Sequence, residues 1–292
     1  MDSAQRLDPV VLHHIVNTLG WRDLRPFQRT AIDPLLEGKD ALLLAPTAGG
    51  KTEAACFPLL SAMSAQRWTG VSVLYLCPLK ALLNNLLPRI DGYAQWLGRR
   101  AALWHGDTTE TQRRRIRSDP PDILLTTPES LEAMLISYKT DHRWLLGQIR
   151  AVVVDEVHAF AGDDRGWHLL AVLERLSRVT GRDIQRVGLS ATVGNPRQLL
   201  TWLQGANPQN RPGQVIVPKD STTPAGHVEL DYVGSTAHLR DYLQLSRGVR
   251  SRSPKRLLIA QKTIPLQPGS GRFAGLRRAC PGRRRRLGRP GA

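Results

Sequence analysis

From Ala41 to Pro218 the chain alternates two kinds of stretch. Short apolar runs recur: "ALLLAP", "VSVLYLCP", "AALWHG", "DILLTTP", "AVVVDE", "RVGLSAT" and "QVIVP". They are too short for helices, and their near-continuous Leu, Val and Ile content is that of strands buried on both faces. Most segments between them have helical length and pattern. This alternation predicts an α/β fold, a mainly parallel central sheet flanked by helices. Sheets of that kind bind ligands at the carboxyl ends of their strands. The polar residues singled out below fall where an apolar run ends.

Two helices are predicted ahead of the first strand. Asp8 is an N-cap and Pro9 opens the first turn; Val11, Leu12, Ile15, Val16 and Leu19 form an apolar face, and Gly20 closes it. "PFQRTAIDPLLEG" is the second, again ended by glycine. After Pro218 the rhythm changes. Residues 219–227, "KDSTTPAGH", read as a linker; "VELDYVG" and "KRLLIA" are strand candidates around a helical "AHLRDYLQLSRG". The predicted organisation is a first domain over 1–218, an incomplete second domain over 228–260, and a disordered Arg/Gly/Pro-rich tail over 261–292.

Composition narrows the class. The 292 residues suit one large or two small domains, and 41% apolar content suffices for a core. No run reaches the roughly 18 apolar residues of a membrane span, and the start has no secretory pattern. Cys56, Cys77 and Cys280 have no metal-ligand spacing, which points to a reducing cytoplasm. The net charge of +16 invites a nucleic-acid reading, but its placement weakens that inference. After Asp241 lie 14 of the 41 Lys and Arg and none of the 25 acids, so residues 1–241 carry +2 and the tail +14.

Two motifs carry chemistry. "APTAGGKT" matches the phosphate-loop pattern G-x-x-x-x-G-K-[ST], with Ala45 in place of the first glycine. The loop residues Thr47, Ala48, Gly49 and Gly50 would turn backbone N–H groups toward phosphate. Lys51 would reach the β- and γ-phosphates and Thr52 would place its hydroxyl on magnesium. "EAACFPLLSAM" supplies the helix behind them. A glycine-rich turn with a surface lysine would look similar in isolation. "AVVVDEVH" is the second motif: an apolar strand delivers Asp155 to magnesium and Glu156 to the attacking water as general base.

"APTAGGKT", "DEVH" and "LSAT", in this order and spacing, resemble a superfamily 2 DEAD/DEAH-type helicase. "VDEVHAFAGDDRGWHL" with "LSATVGNPRQLLTWLQG" resembles the large-helicase-related (Lhr-type) group, over roughly residues 8–246. The resemblance implies a RecA-like P-loop domain that uses ATP and Mg2+ to move along nucleic acid, DNA or RNA with DNA favoured, without reading sequence. It implies that Gln28 reads adenine, and that His158, Ser190 and Thr192 couple nucleotide state to strand movement, the hydroxyls bonding Asp155 and Glu156. It places Pro78 and Lys80 of "CPLKALLNN", and Thr127, Pro128 and Ser130 of "TTPESLEAML", on the nucleic-acid face. Arg113 to Arg115 suit backbone contact or a solvated helix face equally.

The chain departs from the group after "KRLLIA". Such helicases have a second RecA-like domain whose arginines face the transferring phosphate. Here an acid-free mixture follows, with Arg283–Arg286 on no scaffold. A reading-frame slip near Arg247 or soon after is one explanation; a genuine basic nucleic-acid-binding tail is the other. A non-catalytic module that binds ATP and nucleic acid is the alternative function. A transporter-type ATPase is disfavoured by "LSAT" after "DEVH". Oligomeric state is not legible.

Overall fold

The computed structural model describes residues 3–46, 48–191, 193–206, 212–218, 230–233 and 257–260. The chain divides into two units, Met1–Ser221 and Thr222–Ala292.

In the first unit, all seven apolar runs are strands. They are β1 (Asp40–Leu44), β2 (Val73–Leu76), β3 (Ala101–Trp104), β4 (Ile123–Thr126), β5 (Ala151–Val154), β6 (Gln185–Ser190) and β7 (Gly213–Ile216). They form one parallel sheet in the order β3-β4-β2-β5-β6-β1-β7. The helices are α1 (Pro9–Asn17), α2 (Pro26–Leu36), α3 (Lys51–Ala65), α4 (Lys80–Gln95), α5 (Glu110–Ser118), α6 (Pro128–Ile136), α7 (His142–Leu146), α8 (Asp164–Thr180) and α9 (Pro196–Gln204).

Side-chain alternation along the strands makes two cores. Leu43, Val73, Tyr75, Leu125, Val153, Val187 and Leu189 face one side, where residues of α1 to α4 cover them. Leu42, Leu44, Leu74, Leu76, Leu124, Val152 and Val154 face the other, covered by α5 to α9. The strands are apolar throughout because both faces are buried. Cys56 and Cys77 are buried free thiols whose ionisation burial suppresses.

The first helix departs from its predicted face. Val11 and Ile15 are buried and Leu12 and Leu19 pack partly, but Val16 is 53% exposed. Val16 lies about 140° round the helix from Val11 and about 100° from Ile15, past the edge of the buried face. The helix ends at Asn17, and Gly20, at φ +67, serves in the turn after it.

Asp40 fastens the start of β1 to the sheet. It is fully buried; Oδ1 accepts from Arg186 N at 2.7 Å and Oδ2 from Gln204 Nε2 at 3.0 Å. Asp40→Ala removes both acceptors and is expected to cost about 2–4 kcal/mol, as one buried and one half-buried hydrogen bond to a carboxylate would, read by denaturant unfolding.

In the second unit, β8 (Leu230–Val233) pairs in parallel with β9 (Leu257–Ala260), Leu230 opposite Leu257. The predicted linker 219–227, the helix over 237–248 and the tail 261–292 lie outside the described residues.

Candidate nucleotide and nucleic-acid site

The motifs gather along the carboxyl edge of the sheet because each follows a parallel strand. The loop follows β1, Pro78 follows β2, Thr127 follows β4, the acids follow β5, and Ser190 ends β6. A cleft of about 460 Å³ is lined by Ala48, Gly49, Gly50, Lys51, Thr52, Asp155 and Glu156, among others. A larger hollow, about 630 Å³, lies between α4, β3 and α5 and includes none of these residues, so the chemistry belongs to the smaller one.

The loop has no slack. A Cβ on Gly49 would lie 2.7 Å from Pro46 O, and one on Gly50, at φ +83, would lie 2.5 Å from Gln28 Nε2. Ala48 is also left-handed, at φ +61, where a side chain costs energy. Two side chains brace the turn: Arg25 Nη1 donates to Ala48 O at 2.9 Å and Gln28 Nε2 to Gly50 O at 3.2 Å. Gln28 is buried, its Oε1 accepting from Arg25 N at 3.0 Å. Its bonds here thus go to the loop and its own helix start. Lys51 Nζ donates to Ala45 O at 2.8 Å and Pro46 O at 3.3 Å, leaving one of three ammonium protons for a ligand. Thr47 lies outside the described residues.

Asp155 is 8% exposed and held from both oxygens. Oδ1 accepts from Glu156 N at 2.8 Å, and Oδ2 accepts from the Tyr75 hydroxyl at 2.7 Å. Burial raises the Asp155 carboxyl above its ordinary range, and these two bonds oppose the shift. Burial and the Asp155 charge push the Tyr75 phenol well up, so it remains a donor. Glu156 is left-handed, at φ +48. Its side chain is 34% exposed and lies 3.4 Å from His158 Nδ1. Ser190 Oγ meets that same nitrogen at 3.1 Å. The β6 hydroxyl therefore touches His158, which stands beside Glu156. Thr192 lies outside the described residues.

Tyr75 is a site residue that the motifs do not name. Its signal was a phenol in a fully apolar strand, which needs a buried partner. If Asp155 holds magnesium as the motif predicts, Tyr75→Phe is expected to weaken magnesium-dependent ATP binding about tenfold, the worth of one hydrogen bond to a charged group. Magnesium-free binding should not change, and fluorescence titration of a nucleotide analogue reads both.

The other cluster sits on neighbouring strands. Thr127 Oγ1 caps α6, accepting from Ser130 N at 3.3 Å, with Pro128 in the first turn. Lys80 Nζ pairs with Asp107 at 2.8 Å. Arg165 of α8 joins the two turns, donating to Pro78 O at 3.1 Å and Glu129 Oε1 at 2.9 Å. Arg113 donates to His105 O and Gly106 O and lies over Trp104, while Arg114 and Arg115 are exposed.

A phosphate loop facing two acids across one edge of a parallel sheet is the arrangement of a P-loop nucleotide-binding domain of RecA-like fold. Residues 25–199 match the DEAD/DEAH box helicase family, and the chain belongs to it. Within that family the resemblance is to Lhr helicases. A Lhr helicase/probable uracil glycosylase of Mycolicibacterium smegmatis is 39% identical over 198 residues, 63% of this chain and 13% of that protein. The ATP-dependent helicase Lhr-Core of Methanothermobacter thermautotrophicus is 38% identical over 199 residues, 63% of this chain and 23% of that protein. The chain therefore spans less than a quarter of their length. Among solved structures, Mycobacterium smegmatis helicase Lhr bound to ssDNA and AMP-PNP superimposes with a TM-score of 0.67 at 31% identity, over 86% of this chain and 34% of that one. The DEAD-box helicase Mss116 bound to ssRNA and UDP-BeF, at 18% identity and a TM-score of 0.69 over 82% of this chain and 51% of that one, shares the fold.

Proposed function

We propose that this chain carries the first motor domain of an ATP-dependent nucleic-acid translocase or helicase acting on DNA. The carrying observation is that Lys51 and Thr52 meet Asp155 and Glu156 in one cleft. Lys51 and the loop amides bind the phosphates. The donor set fits Mg2+, which takes few protein ligands and completes its shell with water and phosphate. Among the described residues no cluster of three or more His, Cys, Asp or Glu could hold a metal alone. Thr52 and Asp155 would hold the ion, which when bound neutralises phosphate charge. Glu156, the more accessible acid, orients water and accepts its proton. His158 and Ser190 carry the state of the cleft toward β6.

Strand binding falls to the turns at Pro78–Lys80 and Thr127–Ser130, whose chemistry suits backbone phosphate and not base edges. The DNA assignment is supported by the ssDNA-bound Lhr structure. Among the described residues no helix is long and apolar enough to cross a membrane; we place the protein in the cytoplasm. The second reading is a module that binds ATP without turnover. In its favour, every described residue that lines the cleft belongs to the first unit, whereas transferring-phosphate arginines in such motors come from a second domain. Steady-state hydrolysis with and without single-stranded DNA decides. Strand-stimulated turnover supports the motor, and ATP binding with no turnover in either condition supports the module.

A further inference from the structure

The cleft contains a cation that none of the motifs supplies. Arg89 of α4 lines it together with Lys51, Asp155 and Glu156. Its Nη2 donates to Thr52 Oγ1 at 2.8 Å, and its Nη1 lies 3.5 Å from Glu53 Oε1. Glu53 is buried at the start of α3, where Oε1 also accepts from the Tyr93 hydroxyl at 3.0 Å. The Arg89 side chain is 45% exposed, so it can leave Thr52 without breaking the core.

Thr52 is thus asked to serve two cations. Its hydroxyl is the group assigned above to magnesium, and a guanidinium on that oxygen repels a divalent ion brought to it. The conflict is relieved by movement of the guanidinium. Glu53 offers the place to move to, since Arg89 already stands near it. We propose that Arg89 is a resident cation that competes with Mg2+ for the Thr52 hydroxyl and swings toward Glu53 when the ion is taken up. The inference rests on the reading of Thr52 as a magnesium-side residue. Arg89 in this role is a positioning residue: it sets how tightly the metal is held.

The test is a magnesium titration of the full chain at saturating fluorescent ATP analogue, beside a magnesium-free titration of the analogue. Arg89→Ala is expected to tighten the apparent magnesium affinity about tenfold, the scale of one charge-assisted hydrogen bond. Magnesium-free nucleotide affinity should show no such gain. Arg89→Lys, which keeps the charge but loses the fork, should fall between. The gain must persist in the Arg89→Ala/Glu53→Gln double variant; if it vanishes there, a stranded Glu53 carboxylate was recruiting the ion and the proposal is overturned. Equal weakening of nucleotide binding with and without magnesium would make Arg89 a phosphate ligand and also overturn it, as would an unchanged magnesium affinity. A wild-type chain that binds no ATP would remove the functional reading itself, whereas a wild-type chain that binds ATP leaves only the Arg89 claim at stake. Thermal melts show that each variant is folded, and Arg89→Gln replaces Arg89→Ala if the latter is not.

Discussion

Glu156→Gln is expected to leave ATP binding intact and lower strand-stimulated turnover by about a hundred- to ten-thousand-fold, the range for a lost general base. The two neighbouring acids have opposite surroundings. Asp155 is buried, with one oxygen on Tyr75 and the other on the Glu156 amide. It is fixed, as an ion-holding group must be. Glu156 turns away through a left-handed backbone, and its carboxylate is one-third exposed beside His158. It is the acid that water can reach. Glutamine keeps its shape and removes the proton acceptor. Single-turnover hydrolysis set beside equilibrium binding checks the split. Parallel loss of both quantities would mean that Glu156 binds the nucleotide instead.

Lys51→Ala is expected to weaken ATP binding about ten- to a hundredfold, since a hydrogen bond from a charged group is worth about 1.5–3 kcal/mol. Removing the ammonium also removes its bonds to Ala45 O and Pro46 O, which rigidify the loop. The bond to Ala45 O is buried, so a moderate fall in melting temperature should accompany the large change in affinity. Calorimetric titration with a thermal melt on the same sample tests this. An affinity that holds while the melting temperature collapses would reduce Lys51 to a structural residue.

The sheet was legible because burial on both faces leaves its mark in every residue of a strand. "AVVV" and "VLYL" have nothing polar to turn toward solvent but Tyr75. The loop and the acids were legible because phosphate and magnesium chemistry demand glycine, lysine, threonine and carboxylate at fixed spacing. Tyr75, Arg25, Arg89 and Arg165 were not. Each reaches the site from another element, across 80 residues for Tyr75 to Asp155 and 37 for Arg89 to Thr52. Such contacts are set by the order of strands, which local pattern does not encode. Val16 was misplaced for the opposite reason: an apolar residue near the edge of a helical face can end on either side of it.

The strand order has a consequence for how the site comes into being. β6 lies between β5 and β1, pairing with both. The loop amide of Ala45 donates to Ser190 O at 3.2 Å, and Arg186 N reaches Asp40 across 146 residues. Until β6 is inserted, the phosphate loop and the acids have no common frame. A long-range pairing of this kind closes slowly and late. On the proposed reading, a chain gains its nucleotide site only once the residues through Ser190 have joined the sheet, so bound nucleotide would stabilise only chains whose sheet has closed.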